Sequence, residues 1–212
     1  MASEELENYT SLFSSPESDI LKELSRETHL KTTYPAMLSG HIQGKLLEMV
    51  SCLVKPKIIL EIGTFTGYST ICLAKGLQRG GLIHTIERNA ELEDLAKKYF
   101  IKAGIESQVV YHSGEAVDII PSISEFFDLV FIDGDKKDYP LLYNAVIEKL
   151  KPGGILIADN VLWYGKVTGN VKQMDKDTLG VHGFNDMIIK DKRVENVLIP
   201  IRDGLSIIRK LF

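Results

Sequence analysis

Cysteine is scarce in this chain of 212 residues, which carries only Cys52 and Cys72. With no CxxC pair, neither a disulfide framework nor a thiolate metal site is expected, and both thiols read as buried and reduced. No apolar run approaches the ~20 residues that cross a bilayer. The acidic, polar start MASEELENYT does not suit a secretory leader. A cytoplasmic protein with no membrane partner is therefore expected. Basic excess is missing too: 25 Lys and Arg face 29 Asp and Glu, a net charge of -4. That removes the electrostatic footprint of phosphate-backbone binding and disfavours a nucleic-acid partner, although a small contact with tRNA stays open. Repeats, low-complexity tracts and linkers are absent, so residues 1–212 are expected to form a single domain.

What is present is an alternation of strands and helices. Ser15 with Pro16 behind it reads as the start of a first helix, and Gly40 to Leu53 as a second. Short apolar runs then recur at Lys57–Ile62, Gly81–Glu87, Gln108–His112, Phe127–Asp133 and Gly154–Asp159. Helix-like segments separate them near Ser69–Gln78, Ala90–Ala103, Glu115–Ile120 and Tyr139–Leu150. Uniformly apolar strands alternating with helices predict an α/β fold with a doubly wound parallel sheet. After a helix near Phe184–Lys190, strands at Val194–Ile201 and Leu205–Leu211 flank Arg202-Asp203-Gly204, so the last strand is predicted to run antiparallel in a hairpin. Residues 1–55 are expected to form a helical lid or dimerisation segment over a core at 56–212.

Ligands of open parallel sheets sit beyond the carboxyl ends of the strands. Those ends carry Glu61, Glu87, Asp133, Asp135, Asp159 and Asn160. Any one of them could be a helix cap or turn former, but so many converging on one crevice point to a site. Glu61 opens EIGTFTGYS, whose glycines lie four apart and allow a tight turn and close approach to a ligand. The spacing is not the GxGxxG that seats a pyrophosphate, which favours a ligand without phosphate there. Glu87 is placed to accept hydrogen bonds from two ribose hydroxyls. Asp133, Asp159 and Asn160 form an oxygen donor set suited to a hard cation, with Mg²⁺ preferred and Mn²⁺ or Ca²⁺ as alternatives.

From about Leu6 to Lys210 the chain resembles the cation-dependent O-methyltransferases, the group of caffeoyl-CoA and, more distantly, catechol O-methyltransferase. The resemblance is carried by EIGTFTGYS (Glu61–Ser69), FIDGDKKDY (Phe131–Tyr139), ADNVLWYG (Ala158–Gly165) and IPIRDGLSIIRK (Ile199–Lys210). It implies a class I, Rossmann-like methyltransferase fold with S-adenosylmethionine as cofactor, commonly as a homodimer. It also implies that Asp133, Asp159 and Asn160 hold the metal. Ser39, Glu61, Gly63, Thr64, Ser69, Glu87, Ala116, Asp133 and Asp135 would line the cofactor pocket. Two positions depart from plant members. Tyr164 stands where a substrate-contacting Asn is frequent, and Leu142 replaces a second Tyr, so the plant acyl-CoA substrate is not carried over.

The chemistry expected is methyl transfer to one hydroxyl of a small aromatic diol. A phenol with a pKa of about 10 is a poor nucleophile at neutral pH, and chelation of both hydroxyls by a cation acidifies and orients it. Lys136 is the candidate general base, Trp163 and Tyr164 the candidate aromatic wall, and His41 the one histidine expected to approach the pocket. Three rival readings make different demands on the sequence. A nucleotide-dependent oxidoreductase wants GxGxxG and a parallel last strand. A methyltransferase acting on a hydroxylated tRNA base wants a basic strip, of which only Lys136-Lys137 is present. A non-catalytic binding protein should have lost one of Asp133, Lys136, Asp159 or Asn160.

Overall fold

The computed structural model describes residues 4–212. Seven strands form one sheet: β1 (Ile58–Ile62), β2 (Leu82–Glu87), β3 (Val109–Ser113), β4 (Phe127–Ile132), β5 (Leu150–Asp159), β6 (Val194–Ile199) and β7 (Leu205–Lys210). Their order is β3-β2-β1-β4-β5-β7-β6. The first five are parallel, and β7 runs antiparallel to both β5 and β6. The antiparallel final hairpin expected from Asp203-Gly204 is present. Strand order reverses between β1 and β4, which puts the ligand crevice at their carboxyl ends.

Alternate side chains of each strand feed two cores, as a period of two demands when both faces are covered. Leu60, Val130, Ile132 and Leu156 pack with Tyr139, Tyr143, Phe184 and Ile188 on one face. The latter four come from α7 (Tyr139–Ile147) and α8 (Lys176–Lys190). Ile59, Leu129, Phe131 and Ile157 pack on the other face with Leu24, Leu47, Ile71 and Phe100. These belong to α2 (Asp19–Lys31), α3 (Gly40–Val54), α4 (Tyr68–Ala74) and α5 (Glu93–Lys102). Helices α1 (Glu4–Leu12) and α6 (Ala116–Ile119) complete the set. Leu24 and Leu47 are fully buried, and each such side chain contributes about 1.5–3 kcal/mol over an exposed one. That anchors α2 and α3 in the core. The link between them overhangs the strand ends through Tyr34, Ala36 and Met37.

Several boundaries differ from expectation. The cap of α2 is Ser18, whose side chain accepts from the Leu21 amide, not Ser15, and Pro16 lies in the preceding link. Strand β5 begins at Leu150 because that buried residue pairs with Phe127 ahead of a register shift, so α7 stops at Ile147. Helix α8 starts eight residues earlier than expected, at Lys176, with Asp175 as its cap. Two glycines in its interior weaken the helical signal. Gly180 has a packing reason: a Cβ there would meet the Lys136 carbonyl oxygen at 2.2 Å. Cys72 is buried as expected, but Cys52 on the outer face of α3 is exposed.

Candidate active site

The turn after β1 is built by glycine, for reasons of packing. Gly63 (φ 97) and Gly67 (φ 92) both take left-handed conformations. A Cβ on Gly63 would lie 2.3 Å from the Asp133 carbonyl oxygen, and one on Gly67 2.6 Å from the Phe100 ring. The close approach expected to a ligand is in these two cases an approach to protein atoms. The turn is tied to β2 as well, since the Glu87 carboxylate accepts from the Phe65 amide at 2.8 Å and from the Asn89 amide at 2.9 Å. Each Glu87 oxygen keeps acceptor capacity for a ribose hydroxyl.

Glu61 lies beneath the turn and lines neither cavity described below. Its Oε2 accepts from the Thr70 and Thr85 hydroxyls, and its Oε1 is buried with no partner. Thr85 spends its one proton on Glu61, so the Thr64 hydroxyl donates to Thr85. Burial pushes the Glu61 carboxyl up to about 7, against the hydrogen bonds donated by Thr70 and Thr85.

Beyond the ends of β1, β2, β4 and β5 opens a cavity of about 520 Å³. Gly63, Glu87, Ala116, Asp133, Asp135, Lys136, Asp159, Asn160, Trp163 and Tyr164 all line it. A small adjoining crevice shares Gly63 and Asp133 and adds Ser39, Thr64 and Ser69. Tyr34, Met37, Arg88, Glu115, Asp177 and Arg202 also line the cavity and were not singled out from the sequence. Arg88 pairs with Asp135 across it. His41 does not reach it. Its ring bonds the Ser11 hydroxyl and the Ser15 carbonyl, each at 2.7 Å, clipping the N-terminal segment to α3.

At the cavity floor the loop after β4 folds Lys136 back onto Asp133. The ammonium is buried and donates to Asp133 Oδ1 and to the Tyr139 hydroxyl, each at 2.8 Å. Tyr139 in turn donates to the Asp159 carbonyl at 2.8 Å. Helix α8 holds this loop from behind through Gly180. Desolvation disfavours the Lys136 charge, but Asp133 and Tyr139 outweigh it and hold its pKa above the ordinary lysine range. The Asp133 carboxyl is raised by burial and by the charge of Asp159, while Lys136 pulls it back. Asp159 accepts from the Gln43 side chain at 2.6 Å and from the Asn160 amide at 2.7 Å.

Of the two carboxylates, Asp133 is paired with the ammonium, while Asp159 has no cation within ion-pair reach among the described residues, which leaves the cluster short of positive charge. Asn160 follows with a left-handed backbone (φ 55). Among the described residues no group of three or more His, Cys, Asp or Glu is gathered as a metal cage. Two carboxylates and an amide with a charge deficit nevertheless fit a hard divalent cation that keeps several positions for water or substrate. Trp163 (φ 45) and Tyr164 (φ 56) form one wall, their rings 5.4 Å apart. Trp163 is also packed against the core, and its Nε1 is buried without a partner.

A family model described as O-methyltransferase matches residues 11–211. The chain belongs to the O-methyltransferase family. It is 34% identical over 171 residues to a catechol O-methyltransferase of Niastella koreensis, covering 79% of this chain and 77% of that one. To a caffeoyl-CoA O-methyltransferase of Stellaria longipes it is 30% identical, over 100% of this chain and 92% of the other. Among solved structures, an O-methyltransferase from Bacillus cereus in complex with SAH superposes with a TM-score of 0.89, at 29% identity and 97% coverage of both chains. The O-methyltransferase TomG from Streptomyces achromogenes, in complex with SAM, gives 0.92 at 29% identity, with full coverage of both. The seven-stranded sheet is thus that of the class I methyltransferases. No described helix of this O-methyltransferase is long and apolar enough to cross a membrane.

Proposed function

We propose that this O-methyltransferase moves the methyl group of S-adenosylmethionine to one hydroxyl of a small vicinal-diol aromatic held by a divalent cation. The observation that carries the reading is the cluster of half-buried Asp133 with buried Lys136 and Asp159 at the floor of the cavity. The names of the relatives support a catechol-type acceptor, and the neighbours solved with SAM or SAH support the cofactor. Seven carboxylates line the cavity against the three cations Arg88, Lys136 and Arg202. That balance suits a sulfonium and a metal ion and repels phosphate, which weighs against a hydroxylated tRNA base.

Glu87 would accept from the ribose hydroxyls, and Gly63, Thr64, Ser69, Ser39, Ala116 and Asp135 would border the rest of the cofactor. Asp133, Asp159 and Asn160 hold the cation, which when bound supplies Lewis acidity to a chelated phenol. Trp163 and Tyr164 would flank a flat acceptor. Lys136 Nζ is where the phenolic proton is taken. Its proton is retained by the charge of Asp133, so it becomes a base only when that carboxylate is engaged by another cation. Tyr139 keeps Nζ in place throughout. Tyr9, Leu12 and Phe13 on and after α1 are exposed, with the Tyr9 and Phe13 rings stacked at 4.5 Å, which supports a homodimer built on residues 1–55.

The test is incubation of the protein with S-adenosylmethionine and caffeic acid, with Mg²⁺ or with EDTA, reading S-adenosylhomocysteine and methylated product. Methylation is expected with Mg²⁺, lost in EDTA and lost in Asp159→Ala. Turnover that ignores EDTA would sink the metal reading.

A further inference from the structure

Asp159 is held by a residue far away in the chain. Gln43, on the second turn of α3, is fully buried, and its Nε2 donates to Asp159 Oδ2 at 2.6 Å. Its Oε1 accepts from Arg202 Nη1 at 3.1 Å. The same Nη1 donates to the Ser39 carbonyl, one residue before α3. The direction of this chain is fixed by chemistry. A guanidinium only donates and a carboxylate only accepts, so the residue between them must offer an acceptor to one and a donor to the other. Of the ordinary side chains long enough to bridge them, a carboxamide does this with a single planar group. Glutamate would set a second carboxylate against Asp159, and lysine would have nothing to offer Arg202.

Arg202 adds an independent sign. It sits in the turn between β6 and β7 with φ 50, a left-handed conformation that is strained for a residue with a Cβ. Strain of that kind persists where the surroundings hold it in place, and what holds this side chain is Gln43 and Ser39. No carboxylate lies within ion-pair reach of Arg202 among the described residues, although its charge is felt at Asp133 and Asp203.

We infer that Gln43 is a positioning residue that aims the Asp159 carboxylate into the cavity, and that Arg202 acts through it by fixing the amide. The helical segment ahead of β1 thus completes the cation site without touching it. The inference rests on the metal reading proposed above, because it assigns the pair a role toward that cation. Loss of such an outer partner lowers metal affinity about 10- to 100-fold.

The experiment is a titration of the full chain with Mn²⁺ alone, following the free-ion resonance, beside calorimetry with S-adenosylhomocysteine in the absence of metal. Gln43→Met keeps the volume and removes both bonds. It is expected to weaken Mn²⁺ at least tenfold while S-adenosylhomocysteine affinity stays within twofold. Arg202→Met is expected to weaken Mn²⁺ threefold or more, and the double variant to be no weaker than Gln43→Met alone, as for residues acting through one another. Arg202 is exposed, so its replacement keeps the inference testable if Gln43→Met does not fold. Unchanged Mn²⁺ affinity in the variants, or an equal loss of S-adenosylhomocysteine, overturns the inference. An additive double variant overturns the part assigned to Arg202. A wild-type protein that fails to bind Mn²⁺ overturns the metal reading itself and this inference with it.

Discussion

The two halves of the cavity are made by different means. On the side of β1 and β2, the turn is local: Gly63, Gly67 and Glu87 fall within 25 residues, and two glycines with Phe65 between them take the left-handed positions. On the side of β5 and β7, left-handed positions fall to Asn160, Trp163, Tyr164 and Arg202 as well as to Gly165 and Gly204. The contacts there span 116 residues between Gln43 and Asp159 and 163 between Ser39 and Arg202. Backbone that glycine could adopt at lower cost is kept by residues with functional side chains. The first half is built from a short glycine-bearing stretch, and the second from side chains that meet across the fold.

Breaking the second half should abolish chemistry and spare the fold. Lys136→Met is expected to lower kcat by about 10²–10⁴, the usual worth of a positioned general base, without weakening the divalent cation. Steady-state kinetics with a Mg²⁺ titration checks this, and a full-rate variant would remove Lys136 from the mechanism.

Breaking the first half should show mainly as lost stability. Gly63→Ala forces a Cβ against the Asp133 carbonyl in a left-handed conformation, and should cost about 2–4 kcal/mol in urea unfolding. A near-neutral result would mean that the turn yields easily, and the contrast between the halves would fail.

Glu61 refines the same contrast. Its folded-state pKa of about 7 lies above the ordinary 4.5, so its stabilising contribution is full below about pH 4.5 and is lost as pH rises through 7. Melting of the ligand-free protein should weaken from pH 5 to pH 8. Glu61→Gln should flatten that slope, recovering on the order of 2 kcal/mol at pH 8. A slope that survives in Glu61→Gln would assign it to other groups, the raised Asp133 first among them.

The smallest effect is expected at Tyr164, whose side chain is 65% exposed. Tyr164→Ala should change stability by no more than about 0.5 kcal/mol and raise KM for a catechol severalfold with kcat little altered, since the ring contributes to binding alike in ground and transition states. A fall in kcat alone would instead make Tyr164 part of the alignment for transfer.

The legibility of the site follows the same division. Glu87 and Asp133 could be read because parallel strands end at one edge, so consecutive strand ends meet whatever the intervening helices are. Gln43 could not, since one polar residue in an apolar helix carries no signal of what it faces. Nor could Arg88, an exposed residue after a strand, until its partner Asp135 was in place. His41 misled for the same reason: its partners, Ser11 and Ser15, lie in a segment with no periodic pattern toward α3.

By itself the sequence determined the layered sheet, its antiparallel last strand and the acidic strand ends, because the period of apolar residues and the glycine-bearing turns are local properties. Only the tertiary structure decided that Lys136 folds onto Asp133, that Glu61 lies beneath the cavity, and that α3 and the β6–β7 turn reach Asp159. Those outcomes depend on which buried polar groups must find partners across the fold, and hydrogen bonding of that kind leaves no period in the chain.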